Sequence, residues 1–403
     1  MPKSALLCLL SISLTASAAD NLKVLKSFGL NLNNGSDLYS GFVLDSAGAL
    51  YGTAESGGAH QSGVVYKLTP SSQGAWTETV LYSFRGGQED GSTPHATLVW
   101  DGQGNLYGTT LGGGLGANGV VYELSPASGG EWTETVLYRF TGGADGGVPF
   151  SSLILDADGN LYGTTTGGGT KGLGVVFELT RASGNSWTET VLHSFTGNPD
   201  GAGPFSAPIF DAAGNLYGVT YSGGLKNDGT VYELSPSSGT SWTERVLHSF
   251  QGGEDGVNPS ASLVMDQVGN LYGTTVAGGK ARVGTAFELV KAADWVETQL
   301  HAFLGLSAHD GANPNGLIFD AHGNLWGSTV GGGLYNPGTI FELLPQGNGT
   351  WEESVLYSFT GGNDGAYPSS GLAMDSLGRI YGTTLWGGPA GNTTGGVAFE
   401  YIP

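Results

Sequence analysis

One ten-residue signature recurs seven times along this 403-residue chain, each copy 54 to 56 residues after the last. The copies start at Asp45 (DSAGALYGTA), Asp101 (DGQGNLYGTT), Asp156 (DADGNLYGTT), Asp211 (DAAGNLYGVT), Asp266 (DQVGNLYGTT), Asp320 (DAHGNLWGST) and Asp375 (DSLGRIYGTT). A fixed period of that length means one supersecondary unit repeated about an axis, because a single unit cannot bury its own apolar face. No linker or composition shift interrupts the array, so residues 19–403 read as one domain.

Residues 149–195 contain four strand-like runs separated by turn signals. SLILD from Ser152 is continuously apolar, as expected of a strand buried on both faces. NLYGTT from Asn160 follows a tight Asp/Gly turn, VVFELT from Val175 follows a Gly-rich loop, and WTETVLHSF from Trp187 follows a polar loop. We label these strands A, nearest the axis, to D, outermost. Four antiparallel strands repeated seven times predict an all-β, seven-bladed β-propeller. A stacked solenoid would need capping units with a polar outer face, and none is present. The two ends of the array are complementary. Leu22 to Phe28 (LKVLKSF) matches the D-strand text VLYSF, and the seventh unit stops at its C strand, Val397 to Ile402 (VAFEYI). The expectation is a ring closed by the N-terminal strand, which pairs beside Phe399 and completes the last blade.

Ahead of the repeats, Lys3, an apolar stretch from Ala5 to Leu14 and the small residues Ala16-Ser17-Ala18 have the layout of a cleavable secretory signal, placed at 1–18. The stretch is too short to cross a bilayer, so the expected product is secreted or periplasmic, with no membrane span after cleavage. The single cysteine, Cys8, lies inside that signal, which leaves neither a disulfide framework nor a cysteine-ligated metal site. With 14 Lys plus Arg against 35 Asp plus Glu, the net charge of −21 repels phosphate backbones and excludes a nucleic-acid partner. It also favours a soluble protein, expected to be a monomer.

The combination of D-x-x-G-N-L-Y-G-T-T, the Gly-Gly-Gly loop, G-V-V-[YF]-E-L and V-L-[YH]-S-F-x-G-G across residues 22–403 resembles the extracellular bacterial repeat family called GloVer, the choice-of-anchor tandem-repeat proteins. The resemblance implies secretion and repeated β structure. It carries over no catalytic residue. Unlike anchored members, this sequence shows no sorting or membrane anchor before Pro403, so surface attachment is not expected.

Candidate chemistry divides into what repeats and what does not. The D-to-A loops read G-G-x-D-G-x-x-P and supply Asp90, Asp145, Asp200, Asp255, Asp310 and Asp364, with Asn34 in the first. Their presence in every unit favours a turn role, the carboxylate capping nearby amides. The alternative is an acidic ring at the channel mouth that holds Ca²⁺; no other cofactor is expected. His193, His248 and His301 share a slot with Tyr82, Tyr138 and Tyr357 on separate blades and cannot converge on one ion, whereas His60 and His95 approach the same end of the ring. The recurring strand glutamates are too regular for a catalytic acid, which is needed once.

Function is therefore sought where the units disagree. The B-to-C loops vary most, and Lys171, Lys226, Lys280 and Arg282 fall in three consecutive ones, near Tyr221. Tyr335 and Trp386 add aromatic platforms. The expectation is a non-catalytic propeller that binds a glycan, such as a uronate polymer, or a protein through the face carrying the D-to-A and B-to-C loops. The alternative is an extracellular polysaccharide lyase, or another propeller lyase, using His60, His95 and the basic cluster.

Overall fold

The computed structural model describes residues 21–29, 31–182, 186–237, 241–292, 294–347, 349–388 and 395–403; the signal segment 1–18 lies outside them. In blade 3, strands A (Ile154–Leu155), B (Leu161–Thr165), C (Val175–Arg181) and D (Trp187–Ser194) pair antiparallel in that order. The same order recurs in seven sheets, which form a seven-bladed β-propeller. The ring closes as its ends require. Strand Leu22–Ser27 serves as strand D of blade 7 and pairs with Val397–Tyr401, Val24 lying opposite Phe399.

The A strands differ from expectation. In six blades the A strand is only a two-residue pairing, blade 6 alone extending it to Gly311–Phe319, and in blade 3 Ile154 and Leu155 are half-buried rather than buried on both faces. The B strands are the fully buried ones, every residue of Leu161–Thr165 being inaccessible. The reason is geometric: strand A has a pairing partner on one side and faces the central channel on the other, so strand B is the first one flanked by neighbours on both sides.

The signature is a hydrogen-bonded turn. The Asp156 carboxylate accepts from the backbone N–H of Asp158 and Asn160 (2.9 and 2.8 Å), from Asn160 Nδ2 (2.8 Å) and from the Tyr162 hydroxyl (3.2 Å). That explains why Asp, Asn and Tyr travel together. Where blade 1 lacks the Asn, Lys67 pairs with Asp45 at 3.4 Å, and in blade 7 Arg379 takes the place of the Asn. The invariant glycine after the aromatic is a close-approach position: a Cβ on Gly163 would lie 2.7 Å from Phe177 Cζ on the neighbouring strand.

Blades are joined by aromatic pairs. The Phe that ends each D strand packs on the aromatic residue in the middle of the next blade's C strand: Phe84 on Tyr122, Phe140 on Phe177, Phe195 on Tyr232, Phe250 on Phe287, Phe303 on Phe341 and Phe359 on Phe399. Phe28, at the end of the N-terminal strand that completes blade 7, makes the same contact with Tyr66 of blade 1, at 4.9 Å between ring centres. Because Phe28 is buried like its counterparts, Phe28→Ala should destabilise the ring about as much as Phe140→Ala, by about 3–5 kcal/mol. Chemical denaturation of both variants checks this; an N-terminal strand that is only loosely attached would give a much smaller loss at position 28.

The loop aspartates and D-strand glutamates meet at these joints. Asp145 accepts from the Tyr138 hydroxyl (3.1 Å) and the Thr141 N–H (2.8 Å), and lies close enough to Glu189 of the next blade to raise its pKa. Burial first, and the neighbouring aspartate second, push Glu134, Glu189, Glu244 and Glu353 up to about 7. The joint between blade 7 and blade 1 is built differently. There Lys26 pairs with Glu78 at 2.8 Å, and Asn34, standing in the aspartate slot, donates to the same carboxylate at 2.9 Å.

The pH dependence of stability follows from the signs. The raised glutamates hold protons in the fold beyond their ordinary 4.5, so their contribution is complete below that pH and is lost as pH rises towards 7. The turn aspartates Asp101, Asp211 and Asp320 are lowered because the hydrogen bonds they accept together outweigh burial, so their contribution is present above 3.8 and is lost below it. The melting temperature should peak between about pH 4 and 5 and fall towards pH 8. Glu189→Gln, which cannot ionise, should melt higher than the parent at pH 8; equal melting temperatures there would contradict the assignment.

Candidate functional site

Each D-to-A loop enters its blade through a residue with left-handed backbone: Asp37, Thr93, Val148, Gly203, Asn258, Asn313 and Tyr367, all with φ between 55 and 63°. Such a backbone is costly for non-glycine residues, Val148 above all. It is held from both sides. In blade 3 the Val148 N–H donates to the Asn118 carbonyl of the preceding B-to-C loop, and the Val148 carbonyl accepts from Thr166 of its own. The effect is to bring the residue two positions later to the mouth of the central channel.

That slot is not uniform round the ring. Blades 1 to 4 place Tyr39, His95, Phe150 and Phe205 there, and blades 5 to 7 place Ser260, Asn315 and Ser369. All seven line one cavity of about 440 Å³ on the axis. On the first side the rings touch in sequence. Tyr39 stacks on His95 (4.8 Å, 28°), His95 lies against Phe150 (3.9 Å), Phe150 meets Phe205 edge-on (5.0 Å), and Phe205 meets Tyr221 (5.2 Å). The opposite wall offers the Ser260 and Ser262 hydroxyls and Asn315. Asn315 spends its amide N–H groups on Ser328 Oγ and the Pro368 carbonyl, which leaves its carbonyl oxygen for the cavity.

Glu55 breaks the repeat in the same place. Its slot at the start of the B-to-C loop holds Leu111, Thr166, Tyr221, Val276, Val330 and Leu385 in the other blades. Glu55 Oε1 makes a short contact with His95 Nδ1, and the two side chains are 17% and 15% exposed. With Nδ1 directed at the carboxylate, the imidazole's other nitrogen, Nε2, is the polar atom it has left to offer. Burial, then Glu55 and Asp37, raises the pKa of the Tyr39 phenol.

Of the residues singled out in the sequence, His95 and Tyr221 line this cavity. His60 is exposed at a B-to-C loop tip and does not line it. Lys171, Lys226, Lys280 and Arg282 are exposed and make no ion pair among the described residues. Tyr335 is exposed, and Trp386 packs edge-on to Tyr367 at 5.0 Å, away from the cavity.

The loop aspartates do not line the cavity either. Each turns back on the strand before it: Asp90 accepts from Tyr82 and the Arg85 N–H, Asp200 from His193 and Thr196, Asp255 from His248, Asp310 from His301 and the Leu304 N–H, and Asp364 from Tyr357 and the Thr360 N–H. His301, Asp310 and Glu353 bring ligand-type atoms within 4.8 Å of one another. The same joint is built with Tyr82 or Tyr357 in the histidine position, so what that position requires is a donor to the aspartate.

Tyr39, Glu55, Phe150 and Phe205 were not among the sequence candidates. Reading the slot after the loop proline, or after Leu38 in blade 1, exposes the aromatic run directly. The variability of the B-to-C loops drew attention to their tips instead.

The molecule is thus a closed β-propeller with one asymmetric, aromatic-walled mouth. Residues 12–209 and 182–399 match the Gloeobacter/Verrucomicrobia repeat, and the chain belongs to that family. A search of curated proteins finds no match. Among solved structures, the extracellular domain assigned to a hybrid two-component system of B. thetaiotaomicron is similar at 13% identity and a TM-score of 0.55, over 94% of this chain and 39% of that one. A protein of Bacteroides uniformis assigned as a 6-phosphogluconolactonase is similar at 14% identity and a TM-score of 0.53, over 83% of this chain and 88% of its own. At such identities the likeness is one of fold. Among the described residues no helix is long and apolar enough to cross a membrane.

If Glu55 is held by His95 alone, His95→Phe strands a half-sequestered carboxylate and should cost about 1–3 kcal/mol. The double variant Glu55→Leu/His95→Phe, with the leucine that Leu111 and Leu385 supply in other blades, should recover most of that loss. A double-mutant cycle by thermal melting reads the coupling directly.

Proposed function

We propose that this chain is a secreted, non-catalytic carbohydrate-binding propeller that seats a sugar at the channel mouth on the face carrying the D-to-A and B-to-C loops. One observation carries the reading: five consecutive rings, Tyr39 to Tyr221, wall one half of a central cavity whose other half offers hydroxyls and an amide. A pyranose has the matching duality, an apolar C–H face and a hydroxylated rim, and pockets that orient such ligands combine apolar walls with a few polar groups. The 1–18 signal pattern supports delivery outside the cytoplasm. Lys171, Lys226, Lys280 and Arg282, exposed on loop tips outside the cavity, belong to a second surface distinct from the mouth.

The test is a glycan array followed by titration of any hit against Phe150→Ser and Phe205→Ser. Serine is what Ser260 and Ser369 already place at this slot, so the variants should fold. Each should weaken binding about tenfold, the equivalent of about 1.4 kcal/mol. Unchanged affinity in both would place the ligand elsewhere.

A further inference from the structure

Building on the carbohydrate reading, we infer that the unit held in the mouth is uncharged, a neutral polyhydroxylated sugar and not a uronate or sulfated one. Among the described residues, the cavity lining contains no lysine, arginine, aspartate or glutamate. A charged group entering it would shed hydration without a counter-charge to replace the lost water, a cost of several kcal/mol on general grounds. Two negative charges act on the cavity wall: Glu55, in contact with His95, and Asp37, both of which act on the Tyr39 phenol in the sense of a negative field. Together with the net charge of −21, they oppose a carboxylate or sulfate at this point.

A cation fares no better, because Glu55 is behind His95 and no carboxylate reaches the cavity. What the lining does offer matches hydroxyls: an imidazole Nε2 that accepts or donates according to its proton, the Asn315 side-chain oxygen that accepts, and the Ser260 and Ser262 hydroxyls that do both. The unpaired cations at the loop tips do not line the cavity, so they define a separate surface and not the mouth's charge preference.

Calorimetric titration with paired neutral and uronate oligosaccharides, at low and high salt, separates these surfaces. The proteins compared are the parent, Phe205→Ser and Lys226→Glu/Lys280→Glu/Arg282→Glu, with melting curves as a folding control. The inference expects a neutral oligosaccharide to bind with salt-insensitive affinity, about tenfold weaker in Phe205→Ser and unchanged in the charge-reversed triple variant. A uronate that binds and is weakened by Phe205→Ser would overturn the neutral assignment while keeping the site. A uronate that binds in a salt-sensitive manner, lost only in the triple variant, would move the ligand to the loop tips and overturn it too. Binding of neither class would remove the carbohydrate reading itself, and this inference with it.

Discussion

Everything in this ring depends on one contact: the phenylalanine closing each D strand lies on the aromatic residue at the centre of the next blade's C strand. That C-strand ring in turn lies over a glycine of its own B strand, where a methyl group has no room. Three residues distant in sequence are thereby fixed at once, and the contact is local enough to be copied blade after blade. Phe28 on Tyr66 shows that the N-terminal strand, although it joins blade 7 from the other end of the chain, makes the same contact as the six other D strands. A ring needs every joint, and here the last one uses the first strand.

The joint between blades 7 and 1 is nevertheless chemically distinct. At an ordinary joint a Tyr or His donates to a loop aspartate beside a D-strand glutamate, two acidic groups that burial and proximity set against one another. At the joint between blades 7 and 1, Lys26 occupies the donor position, Asn34 the aspartate position, and both contact Glu78 Oε2. On the other flank of the same strand, Leu22 stands where a D-strand glutamate would, so Asp364 has no acidic neighbour there. The strand that completes blade 7 without chain continuity thus meets blade 1 through attraction on one flank and faces blade 6 with no acidic pair on the other.

Blade number, strand order and closure were legible because they rest on residues that repeat: the turn aspartate with its Asn and Tyr, the glycine under the aromatic, the terminal Phe. The A strand was misjudged because apolar composition alone does not distinguish a strand with neighbours on both sides from one that faces a channel. The acidic pairs at the joints were not legible either, since the aspartate that faces each D-strand glutamate lies in a loop about 44 residues earlier, as Asp145 does from Glu189. The aromatic arc was missed for a different reason. Tyr39, His95, Phe150 and Phe205 are unlike one another as letters, and only their shared position after the left-handed loop residue makes them a group.

A closed repeat also determines where function can reside. Symmetry makes seven equal mouths of any side chain that appears in every blade, and a ligand smaller than the ring cannot use all of them at once. What a ligand on the axis can use is a departure from symmetry that lies next to another departure. Glu55 and His95 are departures at two different slots, on two different blades, and they meet. The rings at Tyr39, Phe150 and Phe205 flank them on contiguous blades, while the serines and the asparagine fill the remaining three. Lys226, Lys280 and Arg282 are departures as well, but at exposed tips, with no partner and no wall. The contrast between the two sets is one of enclosure. Hydrogen bonds and stacking gain strength where water is excluded, and the mouth is the place where the unlike residues of this ring are brought out of it.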